Sequence, residues 1–179
     1  IGAVLLTLGL AVTILYTGSA QLVPALKSWW LVIHVSAAAL SGGAFTLSAG
    51  FTVAYLLRQR AEDRGTTDKG LASRLPSAER LDALAYRTIA FVFPVWTFAV
   101  IAGAIWAENA WGRYWGWDPK ETWAFITWVV YAGYLHARST AGWKGRKAAI
   151  ISLIAFSAFI INFFGVNFFA SGLHSYSGV

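Results

Sequence analysis

Apolar residues fall into five runs, separated by a few polar segments. Ile1–Tyr16 is apolar and charge-free but shorter than the ~20 residues a span needs, so it is read as the stump of a spanning helix. Trp29–Leu57 is entered through Trp29 and Trp30 and left through Arg58, and it is long enough to cross a ~30 Å hydrocarbon core with tilt or overhang. Its Ser41-Gly-Gly-Ala-Phe-Thr stretch is rich in small residues, which lets helices approach closely in lipid. Ile89–Trp106 is the third run, with Pro94 a candidate kink. Thr122–His136 is the fourth, interrupted by Trp128 and Tyr131, and Ala148–Phe169 is the fifth. The pattern predicts an all-α, polytopic transmembrane helical bundle of about five spans, truncated at both ends, forming a single domain over residues 1–179.

The segments between the runs set the orientation. Residues 58–87 carry seven Lys or Arg and five Asp or Glu. Within them, Pro76-Ser77 followed by Leu81, Leu84, Ala85 and Ile89 predicts a capped amphipathic helix along the membrane surface that feeds into the next span. Residues 137–147 carry Arg138, Lys144, Arg146 and Lys147. These two segments hold eleven of the fourteen basic residues, leaving Lys27, Arg113 and Lys120 elsewhere. The positive-inside rule then puts 58–87 and 137–147 in the cytoplasm. The 17–28 loop, the 106–123 segment and the tail from Ala170 to Val179 face outward, at a plasma (inner) membrane or, less readily, a thylakoid.

Composition narrows the chemistry. Of 179 residues, 58% are hydrophobic and 12% charged, about half the charged share of a soluble domain. There is no Cys, which excludes disulfides, iron–sulfur sites and thiolate chemistry, so metal ligation falls to three histidines or to oxygen donors. There is no Met, and the chain opens on Ile1, so it reads as part of a longer protein. The net charge of +6 is accounted for by membrane orientation and does not argue for nucleic acid.

The densest chemistry lies in residues 106–123, where Trp106, Trp111, Trp115, Trp117, Trp123 and Tyr114 alternate with charges and glycines. A membrane-interface belt uses one or two Trp per helix end. This density suggests an aromatic platform for a large flat ligand, with interfacial anchoring on a re-entrant loop as the alternative. Asp118, Pro119 and Glu121 also have the spacing of a helix start: N-cap, first turn and capping box. Gly112 and Gly116 allow a tight turn or close backbone approach to a ligand.

The run Trp111-Gly-Arg-Tyr-Trp115-Gly-Trp117-Asp118-Pro-Lys-Glu121-Thr-Trp123 resembles the WWD signature of haem-handling proteins in cytochrome c maturation. Its Asp-Pro-Lys-Glu-Thr-Trp ending most resembles the CcsA (ResC) type, the membrane subunit of the System II cytochrome c synthase. Leu81-Asp-Ala-Leu-Ala-Tyr-Arg87, Phe93-Pro94 and Gly172-Leu-His174-Ser-Tyr extend the likeness, which covers about His34 to Tyr176. The resemblance implies a haem lyase subunit that moves haem b outward and presents it to the Cys-x-x-Cys-His motif of an apocytochrome c. It further implies a CcsB (ResB) partner subunit. By position, His34 and His174 match the family's external histidines and His136 its transmembrane histidine.

The residues can be weighed beside that likeness. His34 lies ~7 Å inside the Trp29 end of its helix, and His174 follows the last span, so both can reach the tryptophan stretch. Two neutral imidazoles suit the two faces of a haem iron. Taken singly, His34 reads as a packing residue and His174 as a loop residue; as a pair flanking the tryptophans on one side, they read as ligands. His136 lies ~20 Å from Trp123 if the helix is continuous, so a second ligand there would have to come from elsewhere. Its alternative is snorkelling beside Arg138. Trp111, Trp115, Trp117, Asp118 and Trp123 are candidate haem contacts. Arg113 and Lys120 are candidate partners for its propionates, or else solvated loop charges. A haem carrier without ligase activity and a structural or quinone-binding membrane subunit remain alternatives.

Overall fold

A computed structural model describes residues 2–14, 26–67 and 70–174. Expectations for most of the 17–28 loop and for Ser175 and Tyr176 lie outside the described residues. The described chain is helical: α1 (Gly2–Thr13), α2 (Trp29–Asp63), α3 (Ala78–Trp111), α4 (Pro119–Ser139), α5 (Gly145–Ile160) and α6 (Val166–Phe169). A five-residue π-helix, Ile161–Gly165, joins α5 to α6. The described side chains of α1 are exposed, while α2, α3, α4 and α5 pack as a bundle.

Among the described residues, three segments are long and apolar enough to cross a membrane: Trp29–Asp63, Ala78–Trp111 and Gly145–Phe169. The sequence suggests about five such segments. Among the described residues, the first piece is too short, and α4 dilutes its 21 residues with Trp, Tyr, His and Arg. Helix bounds differ too. The polar residues after Arg58 prolong α2 to Asp63, and the segment expected to lie along the surface is collinear with the following span. Ser77 caps α3 by accepting from the Arg80 N–H, and the helix then runs through Pro94 without interruption. Leu81 is drawn off the surface because it packs with Tyr55 and Ala149 in a small second core, and Ala85 is buried where its carbonyl accepts from Ser48 of α2. Only seven residues, 112–118, remain between α3 and α4.

Phe45 sits at the centre of the main core. It is fully buried, stacked 4.2 Å from Tyr131 of α4, and edge-on to Trp96 of α3 and Phe159 of α5. The preceding small residues permit this approach: a Cβ on Gly42 would lie 2.8 Å from Phe159 Cζ. Polar side chains lock the helices in register, as expected where neighbours are apolar. Ser48 donates to the Ala85 carbonyl at 3.0 Å, and Trp128 Nε1 donates to Thr97 Oγ1 at 2.9 Å. At the far end of the bundle, Arg138 donates to both carboxylate oxygens of Asp82 at 2.9 Å and lies over the Tyr86 ring.

Candidate functional site

The loop between α3 and α4 is shaped by two carboxylates. Gly112 ends α3 with φ 72°, a left-handed conformation that glycine adopts without Cβ strain. Asp118 caps α4, Pro119 follows, and Glu121 completes the capping box. Glu121, 8% exposed, accepts from the backbone N–H of Gly116 at 2.8 Å and of Asp118 at 3.0 Å, and from Arg113 at 3.4 Å. A Cβ on Gly116 would fall where the Arg113 guanidinium lies, so any other residue there would displace Arg113 from Glu121. Trp117 takes φ 57°, which costs a bulky residue of order 1 kcal/mol. Thr122 Oγ1 donates to its carbonyl and holds it there.

Asp118 also ties down the chain after α6. Its carboxylate accepts from the Lys120 N–H, from the Leu173 N–H at 2.8 Å, and from His174 Nδ1 at 2.9 Å. Burial pushes this carboxyl up, but the three hydrogen bonds and the His174 imidazole outweigh burial and hold its pKa below the usual carboxylate value. At His174, by contrast, burial prevails and lowers the pKa despite Asp118. An ionised Asp118 can only accept, so Nδ1 of His174 carries the hydrogen and Nε2 keeps its lone pair. His34 is arranged in the same way: its Nδ1 faces the Ala99 carbonyl at 2.8 Å, so Nδ1 donates and Nε2 is left open. Gly103 makes room for this imidazole, since a Cβ there would lie 2.8 Å from His34 Nδ1.

Both imidazoles line one cavity of about 550 Å³, within the usual range for a small-molecule site. Trp106 lies against each of them, parallel to His34 with ring centroids 6.2 Å apart and edge-on to His174 at 5.7 Å. Of the other expected site residues, Trp115 and Lys120 line the cavity. Trp111 stands behind it, 4.9 Å from His174. Trp117 is exposed and packs edge-on to Trp115 and Phe125. Trp123 is half-buried on α4, and Arg113 is turned to Glu121; neither is on the cavity wall. His136 is exposed in the last turn of α4 with Nδ1 against Thr140 Oγ1 at 3.2 Å, far from the other histidines.

Several wall residues escaped the sequence reading. Trp96, Asn162 and Asn167 line the cavity, and Lys120 Nζ donates to Asn167 at 2.5 Å. Asn162 and Asn167 carried a signal, as lone amides in an otherwise apolar span. The donor set can be tested against a metal-bearing ligand. Among the described residues no group of three or more His, Cys, Asp or Glu could hold a bare ion. Two neutral imidazoles in an aromatic, largely apolar cavity instead suit a metal that arrives with its own equatorial nitrogens.

The family profile described as Cytochrome C assembly protein matches residues 1–174. The chain is 44% identical over 172 residues to the cytochrome c biogenesis protein CcsA of Guillardia theta, covering 88% of this chain and 57% of that one. It is 42% identical over 180 residues to a CcsA of Prochlorococcus marinus, again 88% and 57%, and 41% identical over 177 residues to that of Mesostigma viride, 88% and 58%. It thus spans a little over half the length of these relatives. With the tryptophan-rich segment and both cavity histidines inside the matched residues, the chain belongs to the Cytochrome C assembly protein family.

Proposed function

We propose that the cavity receives haem as cargo, held by His34 and His174, for attachment to apocytochrome c. The observation that carries this reading is the shared state of the two histidines. Each spends Nδ1 on an oxygen acceptor, and each borders the same cavity with Nε2 free to bind iron. Trp106 and Trp115 supply flat apolar surface, and Lys120 is a cation on the wall that can meet a propionate. The names of the relatives, cytochrome c biogenesis proteins, point the same way.

Bound haem would supply two vinyl groups; each thiol adds its sulfur to one vinyl carbon and its hydrogen to the other, with no net oxidation. The apocytochrome brings both sulfurs, so no nucleophile from this chain is needed. The protein's part is to hold the ligand edge-on to an incoming peptide, where proximity and orientation do most of the work. The Asp118–His174 contact keeps one ligand aligned, and the Glu121 hydrogen bonds keep the tryptophan loop in place. A CcsB (ResB)-type subunit is the expected partner. Lys and Arg placement supports a cavity on the extracytoplasmic side, in a membrane that we read as a plasma (inner) membrane. His136, at the opposite end of α4, would serve an entrance site whose second ligand comes from outside the described residues.

The test is an absorption spectrum of the protein purified in mild detergent, with His34→Gly and His174→Gly beside it, and the yield of covalent cytochrome on co-expression with an apocytochrome. The expected result is a reduced low-spin spectrum that weakens in both variants, with holocytochrome lost. Wild-type protein that takes up no haem on reconstitution sinks the reading. Haem bound without covalent product in the complete system makes the protein a carrier.

A further inference from the structure

Two residues of the cavity wall, Trp96 and Asn162, each hold a polar atom that is shielded from solvent and has no hydrogen-bond partner among the described residues: Trp96 Nε1 and Asn162 Oδ1. Trp96 is 4% exposed and Asn162 5%, and both line the cavity. They flank Phe159, whose ring stands 5.8 Å from that of Trp96 and which precedes Asn162 by less than one helical turn. A buried indole N–H or amide left unsatisfied forfeits its hydration without recompense, so two on one wall call for an explanation. The backbone is unusual at the same place: Asn162 lies in the π-helix Ile161–Gly165, and π-turns inside helices concentrate at functional sites.

The geometry points to a carboxyl-binding subsite formed by Trp96 and Asn162, which takes one propionate of the haem while Lys120 and Asn167 take the other; this rests on the haem reading above. The chemistry suits a carboxyl group in either protonation state. Trp96 can only donate, and so it addresses a carboxyl oxygen. The Asn162 amide offers its oxygen to a carboxylic acid or, turned over in the same space, its N–H to a carboxylate. The two subsites follow one wall: Asn162 and Asn167 are five residues apart, about 7 Å along the axis. Asn167 already accepts from Lys120 Nζ. Together they fix the edge from which the two carboxyl groups project, and so fix which edge of the macrocycle, the one bearing the vinyl groups, faces the incoming peptide.

The experiment titrates haem and haem dimethyl ester into the detergent-purified protein, with wild type beside Asn162→Leu, Asn162→Asp and Trp96→Phe. Wild type is expected to bind haem at least tenfold tighter than the diester. Asn162→Leu should lose about tenfold in haem affinity and little in diester affinity, the scale of one hydrogen bond to a charged group. Asn162→Asp should lose more, because it sets a second carboxylate against the first. Trp96→Phe keeps the aromatic contacts and should follow Asn162→Leu. If the Asn162 variants weaken haem and diester equally, or change neither, the subsite is overturned while histidine ligation stands. Failure of wild type to bind either compound overturns both readings.

Discussion

His174 donates through Nδ1 to Asp118 Oδ1 at 2.9 Å, across 56 residues of sequence. The same carboxylate caps α4 and accepts from the Leu173 N–H. One side chain therefore couples the loop between α3 and α4 to the segment that carries a proposed iron ligand. Replacing Asp118 by Asn keeps an acceptable N-cap but sets an amide N–H against either Leu173 or His174. Haem affinity should fall 10–100-fold, the usual cost of losing a partner behind a metal-ligating histidine. Asp118→Ala should lose the cap as well, about 1 kcal/mol of stability. Haem titration and thermal melts of both variants separate the two effects; unchanged affinity in Asp118→Asn removes the coupling.

The histidine's lowered pKa gives stability a pH dependence of defined sign. Folded His174 takes up a proton less readily than in the unfolded chain, where its value is the ordinary 6.5. As pH falls below 6.5, the unfolded state gains protons first, so stability drops until the pH passes the lowered folded value. Asp118 is also lowered, from 3.8, and its contribution is lost only at more acid pH. The melting temperature of wild type should therefore begin to fall just below pH 6.5, and that of His174→Gln should be flatter over the same window. Identical profiles would show that His174 is not held neutral by its surroundings.

Gly103 tests the other proposed ligand. Alanine is ordinarily favoured over glycine within a helix by up to ~1 kcal/mol. Here the new Cβ would meet His34 Cε1 and Nδ1 at 2.8 Å and push the imidazole off the Ala99 carbonyl. We expect Gly103→Ala to destabilise by about 1–3 kcal/mol, as overpacking does, and to weaken the low-spin haem spectrum. A stabilised variant with an unchanged spectrum would show that the ring has room to spare.

Much of this site could be read before the fold was known. The Asp118-Pro119-Glu121 spacing states a capping box, and the structure forms it because the rule is local. His34 could be placed near the tryptophans because helix rise puts it within two turns of Trp29. The remainder depends on how the helices rotate against one another. The Ala99 carbonyl lies 65 residues from His34, and nothing in sequence marks it as the acceptor. Arg113 looked available for a propionate because its partner, Glu121, appeared committed to capping alone; in the fold, Glu121 serves both. Trp111 looked like a loop residue because Glu108, Asn109 and Arg113 lie close to it in sequence. It belongs to α3, which continues past Trp106 until Gly112 ends it.

Glu121 carries the loop, and its removal should show it. Alanine there would leave the Gly116 and Asp118 N–H groups and the Arg113 guanidinium without their acceptor in a largely buried position. Hydrogen bonds to a charged group are worth about 1.5–3 kcal/mol each, so the two backbone N–H bonds alone should make Glu121→Ala cost at least about 3 kcal/mol. Glu121→Gln keeps one acceptor and should cost less. Proteolysis of the 112–118 loop reports the effect directly, with cleavage faster in Glu121→Ala than in wild type. Equal cleavage rates would mean that the tryptophans hold the loop by packing alone.

His136 separates one haem site from two. It lies seventeen residues past Pro119, about 25 Å along α4, and is exposed beside Thr140. The cavity histidines share contacts with Trp106 at the other end of the bundle. Substitution of His136 therefore cannot disturb iron bound in the cavity through direct contact. Spectra of the isolated protein reconstituted with haem should be the same for His136→Gly and wild type, while His34→Gly loses signal. In membranes containing the complete system, His136→Gly should lower the haem that reaches the cavity if it serves an entrance site. A His136→Gly protein that loses haem even after direct reconstitution would place the principal iron ligand at the far end of α4. Normal haem loading in membranes would leave His136 as a surface residue of the helix end.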